Sequence, residues 1–71
     1  MKYAVVVEQG ETSFGAHVPD LPGCAAVADT PSEVLKLVQE AIQFHIESLS
    51  EDGLPIPVPS SSVEFVEVRA A

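Results

Sequence analysis

From Lys2 to Glu8 the chain reads KYAVVVE, a run rich in β-branched and aromatic residues with no breaker. That pattern predicts a strand buried on much of both faces. Gln9-Gly10-Glu11-Thr12 supplies a turn. From Ser13 to Val18 (SFGAHV), the apolar Phe14, Ala16 and Val18 alternate with Ser13, Gly15 and His17. A period of two marks a second strand with one apolar face, so the first two strands form a hairpin. Gly15 inside the strand points to a bulge or a close backbone approach.

Pro19 to Cys24 reads PDLPGC. Within it, Leu21-Pro22-Gly23-Cys24 fits a type II turn, with Pro presetting φ at the second position and Gly accepting positive φ at the third. Cys24 to Ala28 (CAAVA) is a short strand of small residues, suited to close packing under a helix. Thr30 is the expected N-cap of that helix, Pro31 its first residue, and Glu33 completes a capping box. The helix is expected to reach about Asp52, with Gly53 as its terminator. Val34, Leu35, Val38, Ala41, Ile42, His45, Ile46 and Leu49 form its apolar stripe, opposite Lys36, Gln39, Glu40, Gln43 and Glu47.

Leu54 to Pro59 (LPIPVP) alternates proline and is an extended connector. Residues 60–62 are three serines, read as a flexible joint, and Val63 to Arg69 (VEFVEVR) is read as a fourth strand. The order β-β-β-α-β predicts a single α+β domain over residues 1–71, a mainly antiparallel sheet with one helix on one face. The other sheet face needs a cover, and a sister subunit is the natural one.

Seventy-one residues with 46% apolar content and a single cysteine allow one small domain without a disulfide. A chain this short is marginal alone, which favours a homodimer or homotetramer, or a partner. The net charge of −8, from eleven acids and three bases, changes the picture further. Lys2, Lys36 and Arg69 form no basic patch, so direct nucleic-acid binding is not expected and a basic protein partner is. No apolar run approaches a transmembrane helix, and the opening MKYAVVVEQG is no signal peptide, so a cytoplasmic protein with a reduced Cys24 is expected.

Candidate chemistry is sparse. Asp20 beside Cys24 would raise, not lower, a thiol pKa, so Cys24 reads as a small buried residue and Asp20 as a hydrogen-bonder of its own turn. His45 lies on the apolar side of the helix and is read as a partly buried core or interface residue. His17 sits on the polar side of its strand, facing solvent or a partner. Glu8, Glu40, Glu47, Glu64 and Glu67 show no spacing that converges on a metal pair, and no phosphate-binding loop appears. No enzyme activity, cofactor or metal is expected.

These motifs in this order, from the YAVVVE…FGAHV hairpin through PDLPGC to ADTPSEVLKLVQEAIQFHIESLSEDGLPIPVP, resemble the HicB-like antitoxins over about Tyr3 to Pro59. The resemblance implies a partial ribonuclease-H-like fold without that enzyme's catalytic carboxylates. It also implies an antitoxin of a toxin-antitoxin system. Such a protein neutralises HicA, a small basic mRNA ribonuclease, by covering its RNA-binding surface or active site. Fuller family members carry a C-terminal DNA-binding segment. Only Ser60 to Ala71 follow the region of resemblance here, so operator binding is not expected. Expected contact residues are Glu8 and Glu11 on the hairpin, Asp20 in the turn, and Glu40 and Glu47 on the helix. An alternative is a solitary oligomeric HicB-like domain with a structural or regulatory role and an unrelated partner.

Overall fold

The computed structural model describes residues 1–70. Three strands, β1 (Val6–Gln9), β2 (Phe14–His17) and β3 (Ala25–Ala28), are followed by one helix, α1 (Pro31–Glu51). The sheet is antiparallel with β2 in the centre. The α+β class expected from the sequence is borne out.

The register runs without interruption, Val6 opposite His17 through Gln9 opposite Phe14. Gly15 therefore makes no bulge, and a Cβ there would meet nothing within 4 Å, so no other backbone approaches it. Register also assigns the faces, because side chains alternate along a strand. Val7, Ala16 and Ala26 share the face under the helix, and Glu8, Gly15 and Val27 share the outer one.

The core is Ala16, Val18, Leu21, Cys24, Val34 and Val38, with Tyr3, Val5, Phe14, Ala41 and Ile42 packed around it. Helix α1 rests chiefly on β3 and β2. Val7 is consequently 41% exposed although it faces the helix side, which corrects the expectation that the first strand is buried on both faces. Leu35, assigned to the apolar stripe, is likewise exposed, because only a narrow seam of α1 meets the small sheet.

Local chemistry accounts for the element ends. The Glu33 N–H donates to Thr30 Oγ1 at 3.1 Å, the N-cap bond expected. No reciprocal bond from the Thr30 N–H to the Glu33 carboxylate forms among the described residues, so the capping box is half made. At the other end the N–H groups of Gly53 and Leu54 donate to the carbonyls of Ser50 and Leu49, with Gly53 at φ 69°. That is a Schellman ending, and it needs a residue tolerant of positive φ.

Val63 to Arg69 forms no strand within the chain. A strand exists only where an edge supplies ladder partners, and here the segment stands away from the sheet. Phe65 is 95% exposed, and Val66 and Val68 are 79% and 80% exposed. The molecule is 51 Å long but only 17 Å thin, with a radius of gyration of 14.2 Å. A compact chain of this length would have about 11 Å.

Candidate functional site

The PDLPGC stretch folds as the type II turn expected. The Cys24 N–H donates to the Leu21 carbonyl at 3.0 Å and Gly23 has φ 83°. The turn drives Leu21 into the core, where it is fully buried, with Cys24 beside it. Burial pushes the Cys24 thiol pKa up, which removes it from nucleophilic chemistry at neutral pH.

Asp20 does not bond its own turn. Its carboxylate accepts four hydrogen bonds from residues 40 and 41 positions away. Oδ2 takes the N–H groups of Ser60 and Ser61 at 3.0 and 2.9 Å, and Oδ1 takes their hydroxyls at 3.2 and 2.8 Å. The backbone bond from Ser61, then that from Ser60 and the Ser61 hydroxyl, hold the Asp20 pKa down to about 2. These donors stabilise the ionised form, and the charge-assisted bonds are stronger than neutral ones. Two of the three serines read as a flexible joint are thus ligands of a carboxylate. A second tie, from the Tyr3 hydroxyl to the Pro57 carbonyl, holds the connector against the lead into β1.

The outer face of the sheet is shallowly concave. Glu8, Gly10, Gly15, His17, Ala25 and Val27 line a shallow depression there, floored by the bare backbone of Gly15. His17 Nδ1 stands 3.9 Å from Glu8 Oε1, both side chains open to solvent. Val27 is 68% exposed beside them. An apolar floor rimmed by an acid and a histidine can seat a partner's side chains.

The expected contact acids do not converge. Glu8 is on the outer sheet face and Glu11 on the exposed loop that joins β1 to β2. Glu40 and Glu47 are exposed on α1, which covers the opposite face. Glu47 accepts a hydrogen bond from Gln43 at 3.2 Å. Asp20 is occupied by Ser60 and Ser61. His45 is half-buried on α1, as its apolar neighbours foretold. No group of three His, Cys, Asp or Glu side chains stands close enough to hold a metal among the described residues. No helix among them is long and apolar enough to cross a membrane.

Sequence reasoning missed Gly15 and Val27 as parts of the depression, and Ser60 and Ser61 as partners of Asp20. The alternation of β2 and β3 carried the first signal, since it puts Gly15 and Val27 on one face. No local rule links Asp20 to serines 40 positions on.

Comparisons with known proteins follow the same outline. A family model described as the HicB_like antitoxin of bacterial toxin-antitoxin systems matches residues 3–70. An uncharacterized 14.9 kDa protein of the rep-hol intergenic region of Haemophilus phage HP1 is 35% identical over 93% of this chain. The chain spans half the length of that phage relative. A UPF0150 protein of Thermoplasma acidophilum is 40% identical over 99% of this chain and 100% of its own length. Among solved structures, a chain from a HicA3 and HicB3 toxin-antitoxin complex superposes with a TM-score of 0.71 and 30% identity. The match covers 84% of this chain and 70% of that one.

Proposed function

Because the chain belongs to the HicB-like antitoxin family, we propose that it neutralises a small basic ribonuclease of the HicA type by covering its RNA-binding surface or its active site. The observation that carries this reading is the 0.71 TM-score at 30% identity to a chain of a HicA3 and HicB3 complex. The charge of −8 supports it, since an acidic surface competes with RNA for a basic one and speeds encounter.

The contact surface proposed is the outer sheet face. Glu8 supplies charge there and Glu11 adds charge from the adjoining β1–β2 loop, while Val27 and the open floor at Gly15 supply apolar contact. Glu40 and Glu47, on the opposite side, add to the long-range field. Asp20 serves the chain's own connector, so its part in binding is indirect. The protein acts as a binding module in the cytoplasm and does no chemistry of its own on this reading.

The test is inhibition of messenger-RNA cleavage by the HicA-type ribonuclease. Wild-type protein should abolish cleavage at stoichiometric concentration. Glu8→Lys with Glu11→Lys should slow association by about tenfold at low salt and less at high salt. Unchanged, salt-independent inhibition by the double variant would remove the outer face from the account.

A further inference from the structure

Helix α1 has a second ordered face besides its buried seam. At 3.6 residues per turn, successive side chains rotate by about 100°. Val34 and Val38 turn into the core, and Ile42 and Ile46 fall to one side of them, in the groove beside Tyr3. Leu37 and Phe44 fall to the other side, seven positions apart and therefore on one line along the helix. Phe44 is 72% exposed and Leu37 is 42% exposed. A single bare apolar side chain is ordinary on a surface, whereas two in line offer a strip that a partner can cover.

The charges beside this strip are as regular. Glu33, Glu40 and Glu47 recur at the same interval of seven, and Glu51 continues the line of Leu37 and Phe44. All four carboxylates are exposed. Lys36 is the only lysine or arginine of α1. In a heptad, the apolar pair holds one seam position and Glu40 and Glu47 hold the other, three residues on.

That arrangement decides the occupant. A second copy of α1 would set glutamate against glutamate along the seam, and the chain's own tail brings Glu64 and Glu67 to the same repulsion. A helix with an aliphatic residue every seven positions and Lys or Arg three residues after each matches both lines at once. We infer that the Leu37–Phe44 strip of α1 docks a basic amphipathic helix of a second protein partner, distinct from the ribonuclease. Covered Phe44 carries the affinity, because exposed ion pairs give little, and the glutamates carry the choice of partner. Helix α1 lies on the sheet face opposite the outer depression, so both partners fit at once and the two claims fail separately.

The probe is a synthetic helical peptide with leucine at one heptad position and arginine three residues later. Its control has the same composition with the leucines spread round the helix. Titration of the full chain should show binding of the heptad peptide, weakened by salt, and far weaker binding of the control. Phe44→Ala should lower the affinity about tenfold or more while leaving the circular dichroism unchanged. Glu40→Lys with Glu47→Lys should abolish binding. Amide shifts induced by the peptide should centre on residues 33–51, and ribonuclease inhibition by Phe44→Ala should equal that of wild type. Equal binding of the two peptides would reduce the face to unspecific charge and overturn the inference. So would no binding, an unchanged affinity in Phe44→Ala, shifts centred on Glu8, Gly15 and Val27, or loss of ribonuclease inhibition in Phe44→Ala.

Discussion

Asp20 and Ser61 are joined twice, backbone N–H to Oδ2 at 2.9 Å and hydroxyl to Oδ1 at 2.8 Å, across 41 positions of sequence. With the matching pair from Ser60, this is the polar clasp that returns the C-terminal segment to the first turn. Asp20→Ala removes all four acceptor contacts. The N–H groups of Ser60 and Ser61 should then exchange with solvent far faster, while those of β2 keep their protection. Amide exchange by NMR reads this directly. Equal protection in the variant would show that the clasp does not hold the connector.

The same carboxylate sets an acid limit. Its pKa is about 2 in the folded chain against an ordinary 3.8. A depressed folded pKa means the unfolded chain binds the proton more readily, so the clasp stabilises fully above pH 3.8 and is lost as pH falls towards 2. Acid unfolding of wild type and Asp20→Ala should converge below about pH 2 and differ above pH 4. A constant difference across that window would assign the effect to something other than ionisation.

Leu21 is the side chain through which the turn reaches the core, and it is fully buried. Leu21→Ala should cost about 2–5 kcal/mol. A chain of this size has a total stability on the order of 5 kcal/mol, so the variant should be largely unfolded or far more urea-sensitive. Cys24, buried beside Leu21, gives an independent reading of the same core. Its thiol should resist labelling in the native protein and react at once in urea or in Leu21→Ala.

The glycines separate conformational strain from surface shape. Gly23→Ala meets no atom within 4 Å, yet φ is 83° there, so it should cost about 1–2 kcal/mol through backbone strain alone. Gly15→Ala has open space and no positive φ, and it should leave stability level or raise it by about 0.4–1 kcal/mol. It should nevertheless weaken ribonuclease binding, because its methyl fills the floor of the outer depression. Equilibrium urea melts and binding titrations of the two variants check both statements.

Most local structure was legible in the sequence. The alternation in SFGAHV, the LPGC turn and the Thr30-Pro31 start each rest on interactions between near neighbours, and each formed as expected. The errors lie where distant parts decide. VEFVEVR has strand chemistry, but a strand also needs an edge, and sequence cannot say which chain supplies it. Asp20 had an obvious local use in its turn and a stronger one 40 positions away. The acids Glu8 and Glu40 read alike in the sequence, and the sheet register and the helix packing put them on opposite sides.

In the proposed function this acidic domain holds a basic ribonuclease inactive. The most direct measurement is capture of the tagged chain from its own cells at low salt, followed by an RNA-cleavage assay of whatever co-elutes, before and after the antitoxin is stripped away. The expected result is a small basic protein in stoichiometric amount, silent in the complex and cleaving messenger RNA once freed. Recovery of the bait alone, or of a partner with no ribonuclease activity when released, would contradict it.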